Sequence, residues 1–203
     1  MQQRSELRTA GRLPFDFTAA MWMLCDDITS RMDDLLHIDM SQVAVSYSQA
    51  RSRTLYGLQA KLTPMRFEQG AMTTTRRGRQ WICQRLMLGS REMLYILTFY
   101  LPRFLDQPFH EKMITVLHEL FHVSPNFDGD IRRFEGRYHV HSHSQKEYDR
   151  EMGKLAEVYL RMQPPPELYE WLHHDFRTLQ AMYGGVRGLQ VPIPKLIPLS
   201  RSA

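Results

Sequence analysis

Cysteine is scarce in this chain: Cys25 and Cys83 are the only two among 203 residues. Two thiols are too few for a disulfide framework or a cysteine zinc site, and such a chain is expected in a reducing compartment. Cys25 falls in a helical apolar pattern and Cys83 in a strand-like one, so both are read as small buried residues. Long apolar runs are missing as well. The longest, residues 93–101, is far short of the roughly 20 residues that cross a bilayer. The opening MQQRSELRTAGRLP carries positive charge with no apolar stretch behind it, which argues against a secretory signal. Together these absences predict a cytoplasmic protein with no membrane partner. No internal repeat or low-complexity block is present, which removes solenoids and structural arrays.

What is there reads as one globular domain with appendages: 43% of residues are hydrophobic, 24% are charged, and the formal net charge is +4. Residues 1–14 are read as a polar, flexible tail. From 15 to 37, Phe17, Ala20, Met21, Leu24, Ile28, Met32 and Leu35 recur at helical spacing behind Asp16, a suitable N-cap. Strand-like alternation follows. Val43, Val45 and Tyr47 mark one strand, Tyr56, Leu58, Ala60 and Leu62 a second, residues 81–88 a third, and residues 93–101, apolar on both faces, a fourth. Pro64 suits an edge strand, because proline cannot donate to a ladder. The main domain is thus α+β and spans 15–163. Residues 164–185 open on Pro164-Pro165-Pro166 and carry a helix over 167–183, through Leu168, Trp171, Leu172, Leu179 and Met182, that Gly184-Gly185 ends. Residues 186–203 form an extended, proline-containing tail that packs along the domain or binds a partner.

Residues 109–123 read FHEKMITVLHELFHV. Met113, Val116, Leu117, Leu120 and Phe121 keep helical spacing, Asp106 offers a cap, Pro108 suits the first turn, and Ser124-Pro125-Asn126 is a stop. On this helix lies His118-Glu119-Leu120-Phe121-His122. An α-helix turns once in 3.6 residues, so histidines four apart leave the same face and can share one metal ion. Glu119 lies close by, where its carboxylate can take a proton from water activated there. The motif therefore predicts Zn2+ on His118 and His122, with Glu119 as general base of a hydrolytic centre.

A catalytic zinc uses a third protein ligand and leaves a fourth position for water. His139, His141 and His143 alternate strictly, so an extended segment would point all three to one side. His141, at the centre, is the first choice, ahead of His143 and His139. Ser144 and Glu147 have the spacing of a capping box, starting a helix that carries Tyr148, Met152, Leu155, Val158 and Tyr159 on one side. Arg137, Tyr138 and Tyr148 are the candidate donors to an oxyanion. His37, His110, His173 and His174 belong to no ligand-spaced group and are read as structural or surface residues.

HELFH followed by SPNFDGDIRRFEGRYHVHSHSQKEYD resembles the phage-type metallopeptidases, a small group related to the SprT-like zincins. The resemblance is specific over residues 113–152 and architectural before that. It implies a minimal zincin-like fold: a small mixed sheet packed against the N-terminal helix and the HExxH helix, with extra C-terminal helices. It also implies a zinc metallopeptidase acting on a protein or peptide substrate, with His118, His122 and one of His139, His141 and His143 on the metal and Glu119 as base. Asp128-Gly129 and Arg132-Arg133 look like the family's linker between the two helices. The chain departs from the pattern by offering three histidines where one is needed, and by lacking the cysteine-rich ribbon of some SprT-like proteins. In metallopeptidases of this layout an exposed edge strand beside the zinc binds the substrate backbone, and the sequence leaves open which strand that is.

Acidic residues almost vanish between 51 and 103. Glu68 and Glu92 stand against Arg51, Arg53, Lys61, Arg66, Arg76, Arg77, Arg79, Arg85, Arg91 and Arg103, a net charge of +8. Arg76-Arg77-Gly78-Arg79 reads as a hairpin tip where cations could meet phosphates. Some SprT-like relatives are DNA-associated, so non-specific DNA contact is an expectation to set against a merely solvated basic face. Two other functions stay open: a non-proteolytic nucleic-acid-binding adaptor with a structural zinc, and a regulatory peptidase that cuts one protein.

Overall fold

A computed structural model describes residues 13–50, 54, 56–133 and 145–199. Its architecture is α+β. The strands are β1 (Phe15–Asp16), β2 (Val43–Gln49), β3 (Ala60–Pro64), β4 (Thr73–Arg76), β5 (Arg79–Cys83), β6 (Met87–Leu88), β7 (Arg91–Glu92), β8 (Tyr95–Leu101), β9 (Val186–Arg187) and β10 (Leu196–Pro198). The α-helices are α1 (Phe17–Arg31), α2 (Phe109–Phe121), α3 (Gln145–Arg161) and α4 (Phe176–Tyr183). No helix among the described residues is long and apolar enough to cross a membrane.

The central sheet has the order β2-β8-β3, with β2 parallel and β3 antiparallel to β8. Side chains alternate across a strand, so the register decides which residues share a face. Val45 and Leu62 both pair with Leu97, and with Val43, Tyr95, Ala60 and Phe99 they make the face that α1 and α2 cover. Helix α1 starts where expected, since Asp16 accepts from the Ala19 N–H at 3.0 Å, and it buries Phe17, Met21, Leu24, Cys25 and Ile28 in that core. Ala44 and Ile96 point the other way, into a smaller cluster with Met65, Cys83 and Met93. β8 buries Tyr95, Leu97, Phe99 and Leu101 on one face and Ile96 on the other, where Thr98 and Tyr100 are half-buried. Both cysteines are buried.

Several boundaries differ from the sequence reading. The second strand begins at Ala60 rather than Tyr56, because Gly57 at φ +119° breaks the extended run and Arg103 holds the Leu58 carbonyl at 2.8 Å. The third, read over 81–88, is two strands. β5 pairs with β4, which alternation did not reveal, while β6 turns back on β7; between them Arg85 leaves the ladder to bridge Glu92 at 2.6 Å. The Arg76-to-Arg79 tip is a hairpin turn as expected, with Arg77 (φ 53°) and Gly78 (φ 71°) both left-handed. The helix read over 167–183 is interrupted. Two 3-10 turns, Pro166–Leu168 and Glu170–His173, precede α4, which Asp175 caps through the Thr178 N–H at 2.7 Å. The Lys112 ammonium takes the carbonyls of Leu172 and His174, which a continuous helix would need for itself.

Residues 186–199 of the tail pack along the domain. β9 lies parallel to β1, Leu189 O accepts from Tyr47 N–H at 3.0 Å, and β10 pairs with β5. It thereby engages the outer edge of β2 and adds a strand to the β4–β5 hairpin. An open strand edge invites pairing with other chains, and this one is covered from within.

Helices α2 and α3 pack side by side. Tyr148, Met152, Ala156 and Tyr159 are buried there, whereas Val158, read as part of that face, is 39% exposed. Gly153 looks across at α2: a Cβ at this position would stand 3.6 Å from both His110 Nε2 and Ile114 Cδ1, an ordinary contact. Gly153→Ala is therefore expected to stabilise the protein by about 0.5–1 kcal/mol through helix propensity. Urea unfolding should show a higher midpoint at an unchanged slope, and a lower midpoint would mean the helices approach too closely for a methyl group.

Candidate active site

The HELFH residues lie on α2, whose Met113, Val116, Leu117 and Leu120 are fully buried. Its N-cap is Pro108, with no side-chain cap; Asp106, the expected cap, instead accepts from Phe176 N–H at 3.2 Å and so holds the start of α4. The C-terminal end is better secured. Arg132 donates from its backbone to His122 O at 2.7 Å and from Nε to Phe121 O at 2.8 Å, with its guanidinium 4.1 Å above the Phe121 ring. These contacts satisfy carbonyls that every helix end leaves open, and they put a cation where the helix dipole favours one.

The loop after α2 is tied to the sheet. Gly129 is left-handed (φ 86°), and a Cβ there would stand 2.5 Å from Arg66 Cγ, so both backbone angle and close approach demand glycine. Tyr95 Oη accepts from Gly129 N–H at 3.0 Å and donates to Asp130 O at 2.9 Å. Asp130 in turn accepts from Gln69 N–H and pairs with Arg133 at 3.0 Å. The Asp128-Gly129 turn and the two arginines singled out in the sequence thus anchor the end of the motif helix.

His118 and His122 sit together as their spacing predicts, with ring centroids 4.7 Å apart. His122 is 8% exposed. Tyr148 of α3 meets both rings, edge-on to His118 at 4.8 Å and stacked on His122 at 5.9 Å. Burial pushes its phenol well up from the ordinary value, so it remains an O–H donor at neutral pH. Asp149, which sequence reasoning did not single out, puts Oδ1 3.7 Å from His118 Nδ1. A carboxylate facing one imidazole nitrogen favours the proton there and leaves the lone pair on the other.

Glu119 is 9% exposed, and its Oε2 accepts from Leu62 N–H of β3 at 2.6 Å. Burial pushes its carboxyl up to about 7; the Leu62 N–H and the Lys61 charge oppose that rise. A carboxyl with its midpoint near neutral pH is suited to pass protons both ways.

Two neighbouring imidazoles with a carboxylate behind one of them form a donor set that suits zinc. Among the described residues no group of three or more His, Cys, Asp or Glu converges as a metal site, so His118 and His122 alone fall short of the three protein ligands that a catalytic zinc uses. His139, His141 and His143 lie outside the described residues, as do Arg137, Tyr138 and Ser144. Of the other histidines, His110 faces Gly153, His173 stacks on Phe109 with centroids 4.0 Å apart, and burial followed by the Arg132 charge lowers the pKa of His37. No family model matches this sequence, and comparison with curated proteins and with solved structures gives no match either.

Proposed function

We propose that this protein is a zinc-dependent metallopeptidase of zincin type that hydrolyses peptide bonds with Glu119 as general base. The observation that carries the reading is the presence together on α2 of two adjacent imidazoles and the buried Glu119 carboxyl. His118, His122 and, as first choice, His141 would hold the metal. Zinc in such a site supplies Lewis acidity, acidifying water toward a pKa of about 7 and polarising a carbonyl oxygen. Glu119 takes the proton from water and passes it to the leaving amine. Tyr148, packed against both histidines, would donate to the oxyanion. Asp149 orients His118. β3, whose Leu62 touches the base, is the strand that offers its edge to the substrate backbone. The proposed fold is the minimal zincin, with the mixed sheet, α1 and α2 as its core, and the proposed location is the cytoplasm.

Metal analysis tests this. The purified protein is expected to carry one zinc, and His118→Ala or His122→Ala should each lose it. Among single replacements of His139, His141 and His143, His141→Ala should lose the most. Asp149→Asn should keep the ligands but weaken zinc binding by roughly 10–100-fold, the range typical of such supporting partners. Full zinc content in a His118→Ala, His122→Ala double variant would sink the proposal.

Nucleic acid has one observation in its favour. Among the described residues no carboxylate forms an ion pair with Arg76, Arg77 or Arg79, which cluster on an exposed turn. A non-specific, salt-sensitive contact with DNA phosphates fits that tip. Zinc retained without any hydrolysis would turn the reading toward a nucleic-acid adaptor in which the metal is structural.

A further inference from the structure

The edge of β3 and the carboxyl of Glu119 claim the same hydrogen-bond donor. Gln59 O accepts from Tyr100 N–H at 2.8 Å and Met65 N–H donates to Leu94 O at 3.0 Å, so the odd-numbered residues here pair with β8. Ala60, Leu62 and Pro64 therefore turn their backbone groups outward. Pro64 has no N–H to give. The outward donors are Ala60 and Leu62, and the Leu62 N–H is taken by Glu119 Oε2 in a buried bond of 2.6 Å. Across the sheet, the tail engages the outer edge of β2 through Tyr47 and Leu189. Among the described residues no strand lies outside β3, which is the edge beside the paired histidines.

We infer that Glu119 is a removable latch on this edge: an extended polypeptide that pairs with β3 takes the Leu62 N–H with one of its own carbonyls and displaces the Glu119 carboxylate. The occupant is a backbone, because the edge presents the N–H and C=O groups of Ala60 and Leu62 and the C=O of Pro64. The exchange conserves hydrogen bonds at Leu62 and frees the carboxylate. Its meaning for catalysis rests on the metallopeptidase reading: a peptide long enough to reach Leu62 releases the base, whereas a shorter one leaves it held. Competition for the donor itself requires neither metal nor turnover.

The test reads backbone amides and peptide affinity in the full chain after zinc removal by chelation. In the wild type the Leu62 amide should exchange at least about tenfold more slowly than that of Ala60, despite lying on the same open edge. Glu119→Ala should abolish that protection, and Glu119→Gln, whose amide oxygen still accepts, should keep it. The probe is an uncharged octapeptide of alternating threonine and glutamine. It should bind Glu119→Ala about tenfold more tightly than Glu119→Gln, the scale of one hydrogen bond no longer displaced, and restore the Leu62 protection. Equal affinity for the two variants, or fast exchange at Leu62 in the wild type, overturns the latch. Absent zinc and hydrolysis beside a clear affinity difference would defeat the enzyme reading and leave the latch standing; the reverse pattern would do the opposite.

Discussion

Glu119→Gln is expected to lower the turnover of casein and of an extended fluorogenic peptide by roughly 10²–10⁴-fold, the usual contribution of a positioned general base, at unchanged zinc content. Glutamine fills the same space and still accepts from Leu62 N–H, but it cannot take a proton. Full hydrolysis by the zinc-loaded variant would rule Glu119 out as the base. The substitution also carries a signature independent of turnover. In the metal-free protein the folded carboxyl titrates near 7 against an ordinary value of 4.5, so the fold favours its protonated form. Stability from this group is therefore fully present below pH 4.5 and is lost as pH rises through about 7. Glutamine has nothing to ionise. Metal-free Glu119→Gln should match the wild type near pH 4.5 and exceed it by on the order of 2–3 kcal/mol above pH 7. An equal pH dependence for both proteins would mean that Glu119 titrates as an exposed carboxylate. Silence toward casein with cleavage of one particular protein would mark a regulatory peptidase.

The residues legible in advance were those whose placement follows from a local period. Four-residue spacing put His118 and His122 side by side, and alternation put Val43, Val45 and Tyr95 on a shared face once the strands met in register. Asp16 capped α1 because an N-cap is a contact over three residues. Contacts that span the fold left no such mark. Asp149 reaches His118 only because α3 lies against α2, and no pattern in either helix encodes their mutual rotation. The Leu62 N–H reaches Glu119 only because β3 is an outer strand whose even residues face away from β8. Asp106 looked like a cap for α2 and serves α4 instead, since its carboxylate found a donor brought from far along the chain. The broken helix after Pro166 failed for the same reason: its apolar spacing was adequate, but Lys112 claimed two of its carbonyls from outside.

Lys112 is the position where that override is most open to measurement. It is 1% exposed on α2, and Nζ donates to Leu172 O at 2.8 Å and to His174 O at 2.7 Å. Methionine matches its length and apolar stem, so Lys112→Met removes the donor with little change in packing. The buried Leu172 carbonyl and the partly buried His174 carbonyl then lose this donor. Each such loss costs about 1–3 kcal/mol, so a total of roughly 2–6 kcal/mol is expected near pH 7, read from urea unfolding. The pH dependence has a definite sign. Burial lowers the folded ammonium to about 8 from an ordinary 10.5, with the Asp106 and Asp175 charges opposing it. Between those two values the unfolded chain binds the extra proton, so wild-type stability from this group rises with pH across that window. The deficit of Lys112→Met should widen between pH 8 and 10. A urea midpoint equal to that of the wild type would mean that water reaches both carbonyls, and that Lys112 does not impose the break between the 3-10 turns and α4.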